Sequence, residues 1–300
     1  MTFESVKRRL SYLIPLFFVK LSMLCRYLRG REVLYLSVAL PLQRMKPYNW
    51  GDDVSVVLTE LISGKTVIPH QFAFFNEKKD NFLCIGSILQ WYTNKNSVVW
   101  GSGLLENVGI SAIPKKILAV RGPLTRAALL SQGIECPDVY GDPALLFPRY
   151  YKSEVSKEYK LGVICHFTEL RDMELMAKFN TYVKDNKDVL FINISNYGRW
   201  NDFIDKVNSC EVIVSSSLHG VIISDAYRVP NIWVKFYEEE TEKKDFKFQD
   251  YFLSVKKEVS KPQLFLFECP DFYVRLIKEV WTEPDINLDN LLRVCPFYEK

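Results

Sequence analysis

The chain has 300 residues, 48% hydrophobic and 14% aromatic, enough to bury a sizeable core in about two domains. A charged fraction of 25% is ordinary for a soluble protein, and a net charge of +3 is too small to argue for nucleic acid; RNP, zinc-finger and helix-turn-helix patterns are not evident. The seven cysteines form no CxxC and the three histidines lie far apart, so a disulfide framework fits poorly, no metal-ligand cluster is visible, and free thiols in a reducing cytoplasm fit best.

Residues 1–31 stand apart. Leu10 to Leu28 is apolar but interrupted by Pro15 and Lys20, and is flanked by Lys7, Arg8, Arg9, Arg26, Arg29 and Arg31. It is too interrupted to span a bilayer, and no small-residue cleavage site follows it. Two readings stand: a basic amphipathic helix lying on an anionic membrane surface, or an N-terminal helix packed on the domain.

Val33 to Leu40 reads as a strand. The turn LQRMKPYNWGDD follows, then a helix over 53–63 with Val54, Val57, Leu58, Leu61 and Ile62 at helical spacing. Gly64 stops it. Asp52 or Asp53 is its natural N-cap. Alternatively, Asn49 and Asp52 face a cleft, where a carboxylate beside a helix amino end is ionised and accepts a proton from a hydroxyl.

Asn81–Ile85 and Ser97–Trp100 are further short apolar runs. Gly86 follows the first, Gly101 and Gly103 the second, allowing tight turns or close approach to a ligand without forming a GxGxxG fingerprint. Lys116–Val120 is the next strand. Arg121 at its end could fork onto a carboxylate or phosphate, or pair with Asp142 or another acid. Pro123 opens a helix that Gly133 closes. Tyr140–Pro148 reads as a turn, in which Asp142 orients Arg121, binds hydroxyls or stabilises the turn itself.

Polar Arg149–Tyr159 reads as a hinge. Strand Leu161–Cys165, helix Leu170–Val183, strand Val189–Ile194 and helix Trp200–Asn208 follow. His166, at a strand end, is a second candidate site residue. Then Val212–Val214 is a buried strand, Ser215, Ser216 and Ser217 break it, Leu218–Arg228 is helical and Ile232–Val234 is a strand. This sets Ser215–Gly220 where open α/β sheets bind ligands, with helix amides favouring a phosphate or carboxylate. His219 donates a hydrogen bond or a proton there; the plainer alternative is that it packs while the serines cap. Glu238–Lys247 reads as an exposed charged connection, and Asp271–Trp281 and Asn287–Val294 as terminal helices.

The alternation predicts an α/β protein with two Rossmann-like doubly wound domains facing across a cleft, 32–150 and 160–300, with the terminal helices free to cross back onto the first. No internal sequence repeat is visible.

NWGDD at 49–53, RGPLTR at 121–126, YGDPALLFP at 140–148 and SSSLHG at 215–220 resemble, in order and rough spacing, the polysaccharide pyruvyl transferases. The resemblance implies a GT-B-like fold and transfer of a pyruvyl group from phosphoenolpyruvate to two hydroxyls of a hexose, giving a cyclic ketal. No metal or cofactor is required. In that reading Arg121 clamps the donor, Ser215, Ser216, Ser217, Leu218 and Gly220 cradle its phosphate, and His219 holds the phosphate or acts as acid. Asp52 is the base, Asn49 positions it, and Gly101, Gly103 and Asp142 line the substrate cleft. The acceptor would be a surface polysaccharide, lipid-linked at the cytoplasmic face of a bacterial membrane. Many relatives carry arginine where this chain has Ser217; either Arg171, Arg199 or Lys235 supplies the missing cation, or the donor differs. The competing readings are a nucleotide-sugar glycosyltransferase on the same scaffold and a non-catalytic member of a polysaccharide assembly complex.

Overall fold

Nearly every strand here is a short apolar run without polar alternation, as parallel strands covered on both faces are. In the computed structural model, which describes residues 32–39, 49–72, 79–238, 245–259 and 261–298 with Leu21, Leu24, Cys25 and Leu28, these runs form two five-stranded parallel sheets. The first contains β1 (Val33–Leu36), β2 (Thr66–Pro69), β3 (Asn81–Leu83), β4 (Ser97–Trp100) and β5 (Lys116–Ala119), in the order β2-β1-β3-β4-β5. The second contains β6 (Tyr159–Ile164), β7 (Val189–Phe191), β8 (Cys210–Ser215), β9 (Asn231–Lys235) and β10 (Gln263–Leu264), in the order β10-β9-β8-β6-β7. Numbered within its own half, each sheet runs 2-1-3-4-5. The two halves share one topology without a shared sequence.

The helices follow from capping and periodicity. α1 (Trp50–Ser63) starts after Asn49 and ends on Gly64, whose φ of 65° is the left-handed stop that glycine tolerates. α2 (Leu89–Tyr92) is a single turn. α3 (Pro123–Leu130) has proline at its first position. α4 (Met173–Asp185) is capped by Asp172, which accepts from the Glu174 and Leu175 amides. α5 (Trp200–Asn208), α6 (Leu218–Ala226), α7 (Asp245–Ser254), α8 (Pro270–Val280) and α9 (Leu288–Arg293) complete the second half.

Several elements depart from the sequence expectation, the one-turn α2 and the two-residue β10 among them. Thr66–Pro69 is a strand, β2, and pairs with β1 in parallel. Pro143–Arg149 is a 3-10 helix rather than a turn, opened by Asp142 accepting from the Ala144 amide. Residues 245–254 are helical, because Phe248, Tyr251, Phe252 and Val255 recur at helical spacing and are buried. Phe248 stacks on Trp233 at 4.1 Å. The basic apolar segment 1–31 lies outside the described residues except at Leu21, Leu24, Cys25 and Leu28. Among the described residues no helix is long and apolar enough to cross a membrane.

The halves are joined by burial as well as by the chain. Trp50 donates its amide to the Ile194 carbonyl and its indole N–H to the Trp200 carbonyl, and stacks on Phe203 at 4.6 Å. From the other direction, Leu291, Leu292, Cys295 and Phe297 pack into the first half with Leu36, Val38 and Trp100, and the Trp100 indole donates to the Leu291 carbonyl.

Candidate active site

A 2-1-3-4-5 sheet reverses direction between its first and third strands, and ligands bind beyond the carboxyl ends there. Here the two reversal points face one another. A cavity of about 480 Å³ lies between them. Ala39, Ser87 and Ile88 line it from beyond β1 and β3, and His166, Phe167 and Ser217 from beyond β6 and β8. Asn49 and Asp52 reach it from the amino end of α1, Trp91 and Tyr92 from α2, Leu105 from the loop beyond β4, and Lys247 from α7.

Asp52 is held by the local turn. Asn49 occupies the N-cap position of α1, and its Nδ2 donates to Asp52 Oδ2 at 2.9 Å. The expectation of a plainly ionised carboxylate fails. Burial raises the Asp52 pKa to about 7, outweighing the Asn49 hydrogen bond and the nearby Lys247 charge, which lower it. Burial likewise raises neighbouring Asp53 to about 6, against the hydrogen bond that Tyr197 donates to it at 2.9 Å. The group nearest the cavity is therefore poised near neutrality, as proton transfer requires.

His219 enters from the first turn of α6 and is almost fully buried. Its ring lies against Gly51, where a Cβ would fall 2.0 Å from Nδ1. On its other side Nε2 sits 3.9 Å from Asp142 Oδ2, and both atoms are buried without a hydrogen-bond partner. Burial, then the Lys247 and Arg121 charges, lower the His219 pKa to about 3, while burial raises Asp142 to about 7. The site thus holds a neutral imidazole beside a carboxyl titrating near neutrality. Asn49 Oδ1 is a third buried atom at this site without a hydrogen-bond partner.

Gly51 should tolerate no side chain. Alanine is the better helix former by about 1 kcal/mol. Even so, Gly51→Ala is expected to lower stability by about 1–3 kcal/mol, because its methyl group must displace His219. Thermal unfolding checks this; an unchanged or higher melting temperature would show that the ring is free to move.

The remaining expected residues divide. Ser217, Leu218 and His219 line the cavity. Ser215 and Ser216 turn inward: Ser215 Oγ donates to the Ser217 carbonyl and accepts from its amide, and Ser216 Oγ donates to Glu169 at 2.5 Å. Gly220 packs on Ser215, where a Cβ would meet Oγ at 2.3 Å. His166 lines the cavity with Nδ1 at 2.8 Å from Thr168 Oγ1.

Arg121 is a correction. It is fully buried outside the cavity lining. Its guanidinium donates to Asp250 Oδ2 from Nε at 3.0 Å, with Nη2 2.9 Å from the same oxygen. It also donates to Ser87 Oγ and the Leu104 carbonyl, each at 2.6 Å. Asp142, the partner considered first, instead faces His219. Gly101 and Gly103 are corrected with Arg121: a Cβ on the first would strike Pro143, and one on the second would strike the Arg121 guanidinium. They permit close packing behind the site.

The cation is also reassigned. Arg199 pairs with Asp202 on the surface, Arg171 is exposed, and Lys235 donates to the Glu238 carbonyl. Lys247, expected on an exposed connection, is 6% exposed and lines the cavity. The helical period of Phe248, Tyr251, Phe252 and Val255 was the sequence signal for its helix.

The cavity between the two facing reversal points thus gathers a near-neutral carboxyl, a lysine and a helix amino end in one two-domain α/β chain. Residues 25–235 match the polysaccharide pyruvyl transferase family, and the chain belongs to that family of transferases. An uncharacterized protein of Acanthamoeba polyphaga mimivirus is 31% identical over 69% of this chain and 71% of its own length. The succinoglycan biosynthesis protein ExoV of Rhizobium meliloti is 28% identical over 62% of this chain and 58% of its own. A solved, uncharacterized Klebsiella pneumoniae chain aligns with 89% of this one and all of itself, at 13% identity and a TM-score of 0.42.

Proposed function

We propose that this chain transfers the pyruvyl group of phosphoenolpyruvate to two hydroxyls of a hexose, forming a cyclic ketal in the synthesis of a surface polysaccharide. The observation that carries the reading is the position of Asp52. It lines the same cavity as Lys247 and the amino end of α6, and it titrates near 7.

In this reading Lys247, the first-turn amides of α6 and His219 hold the donor's anionic groups. His219 is neutral, so it donates a hydrogen bond and the proton comes from Asp52. Protonated Asp52 gives its proton to the donor's methylene carbon, and an oxocarbenium-like centre forms at the adjacent carbon. A first sugar hydroxyl attacks that carbon, and the Asp52 carboxylate takes its proton. The carbon–phosphate oxygen bond then breaks, the second hydroxyl closes the ring, and its proton leaves with the phosphate. The new methyl group therefore carries the Asp52 proton, the first hydroxyl's proton restores protonated Asp52, and the second hydroxyl's proton ends on phosphate. The chemistry needs no redox group. The basic segment 1–31 would bring the protein to a lipid-linked acceptor at the cytoplasmic membrane face.

Thermal stability with phosphoenolpyruvate, UDP-sugars and GDP-sugars tests the donor. Ligand at about 100 times its dissociation constant adds about 2.7 kcal/mol, a rise of several degrees. Phosphoenolpyruvate should give that rise. Lys247→Met should weaken donor binding by about 10–100-fold, the worth of one charged hydrogen bond. A rise with nucleotide sugars alone would overturn the reading.

A further inference from the structure

The cavity has two chemically different walls. From the second half come His166, Ser217, His219 and Lys247, which are polar or cationic, together with Phe167 and Leu218. From the first half come Ala39, Ile88, Trp91, Tyr92 and Leu105, with the Ser87 hydroxyl, and none of these carries a charge. Asp52 and Asn49 lie where the walls meet, at the amino end of α1. A three-carbon dianion is served by the cationic wall and gains nothing from the aromatic one. Trp91 is unusual in that wall. It is 59% exposed in the free protein although it lines the cavity. A large aromatic side chain left in water at a binding site is a platform for something that covers it.

We infer that Trp91 is the stacking platform for the acceptor's pyranose ring. The inference rests on the pyruvyl-transfer reading for the acceptor's place in the reaction, though not for its binding. A pyranose has an apolar C–H face and a rim of hydroxyls. Its face matches the indole, and its rim needs acceptors and donors at the edge of the platform. Asn49 Oδ1 is buried without a partner, and Asn49 also fixes Asp52. A ring on Trp91 would turn hydroxyls toward this pair, the polar groups nearest the junction of the walls. The occupant on this side is a neutral hexopyranoside, because the wall offers no counter-charge to an anion.

The test follows the Trp91 indole N–H by nitrogen-15 NMR during titration with methyl glucopyranosides, galactopyranosides and mannopyranosides, with acyclic sorbitol as control. At least one hexopyranoside should move the Trp91 signal while sorbitol does not. Trp91→Ala should weaken that binding about tenfold, measured by saturation transfer to the sugar. Trp91→Phe should recover most of it, and the thermal shift with phosphoenolpyruvate should stay unchanged in both. Equal hexopyranoside binding by wild type and Trp91→Ala, or no Trp91 shift with any of the three, overturns the inference. A lost phosphoenolpyruvate shift in wild type, with Trp91-dependent sugar binding intact, would remove the donor reading and leave this one standing.

Discussion

Asp52→Asn is expected to lower turnover by about 10²–10⁴-fold, the usual contribution of a positioned proton-transfer group. Binding of phosphoenolpyruvate should be kept or strengthened, since a negative charge near the donor is lost. The pH profile carries the sharper test. Burial raises the Asp52 pKa to about 7, and the proposed reaction starts from its protonated form. The rate should therefore be full below that value and fall as pH rises through it. In Asp52→Asn the residual rate should lose this limb. Asn49→Ala removes the 2.9 Å hydrogen bond that favours the charged form, so the limb should move to higher pH. Turnover within tenfold of wild type in Asp52→Asn would take the proton transfer away from this residue.

Asp250→Ala should have the largest effect on stability. The Arg121 and Asp250 side chains are both fully buried and belong to different halves. Asp250 also accepts from the Thr125 amide at 2.8 Å and from its hydroxyl at 2.7 Å, and Gly122 lets the Asp250 backbone approach, since a Cβ there would meet its carbonyl oxygen at 1.9 Å. α3 lacks a side-chain cap of its own, and Asp250 supplies one from across the interface. Removing it strands a guanidinium in the interior, at about 3–5 kcal/mol. At roughly 2–4 °C per kcal/mol the melting temperature should fall by about 10 °C. The double variant Arg121→Met with Asp250→Leu should recover much of the loss, because the cost comes from the orphaned charge. A normal melting temperature in Asp250→Ala, with loss of the phosphoenolpyruvate shift in Arg121→Ala, would restore Arg121 as a donor clamp.

Local signals were well recorded in the sequence. The change from an apolar run to serines and then to helical spacing placed Ser217 and His219 at a strand end, where the cavity lies. Ser97–Trp100 and Trp200–Asn208 could be read to the residue, since glycine or polar residues bound them. What escaped depends on distance. RGPLTR looks like an anion site because nothing nearby shows that Arg121 has a partner 129 residues on. The ionisation of Asp52 follows from burial, which no local pattern encodes. Lys247 was hidden in a charged stretch whose apolar stripe begins only at Phe248. β2 has four residues and ends in proline, so it offered no alternation to find.

The indole N–H of Trp100 has a consequence for the order of synthesis. Its acceptor, the Leu291 carbonyl, lies 191 residues later. At about 5–20 residues per second, the ribosome needs roughly 10–40 s to make up that interval. Until then the first sheet lacks the Leu291, Leu292, Cys295 and Phe297 side chains that close one side of its core, and Arg121 lacks its carboxylate for most of the wait. The nascent first half is thus expected to stay incompletely packed until the C-terminal helices emerge. Cutting the linker between the halves would give two fragments that fold only together. A chain that reads as two domains would then be, in its making, a single cooperative unit.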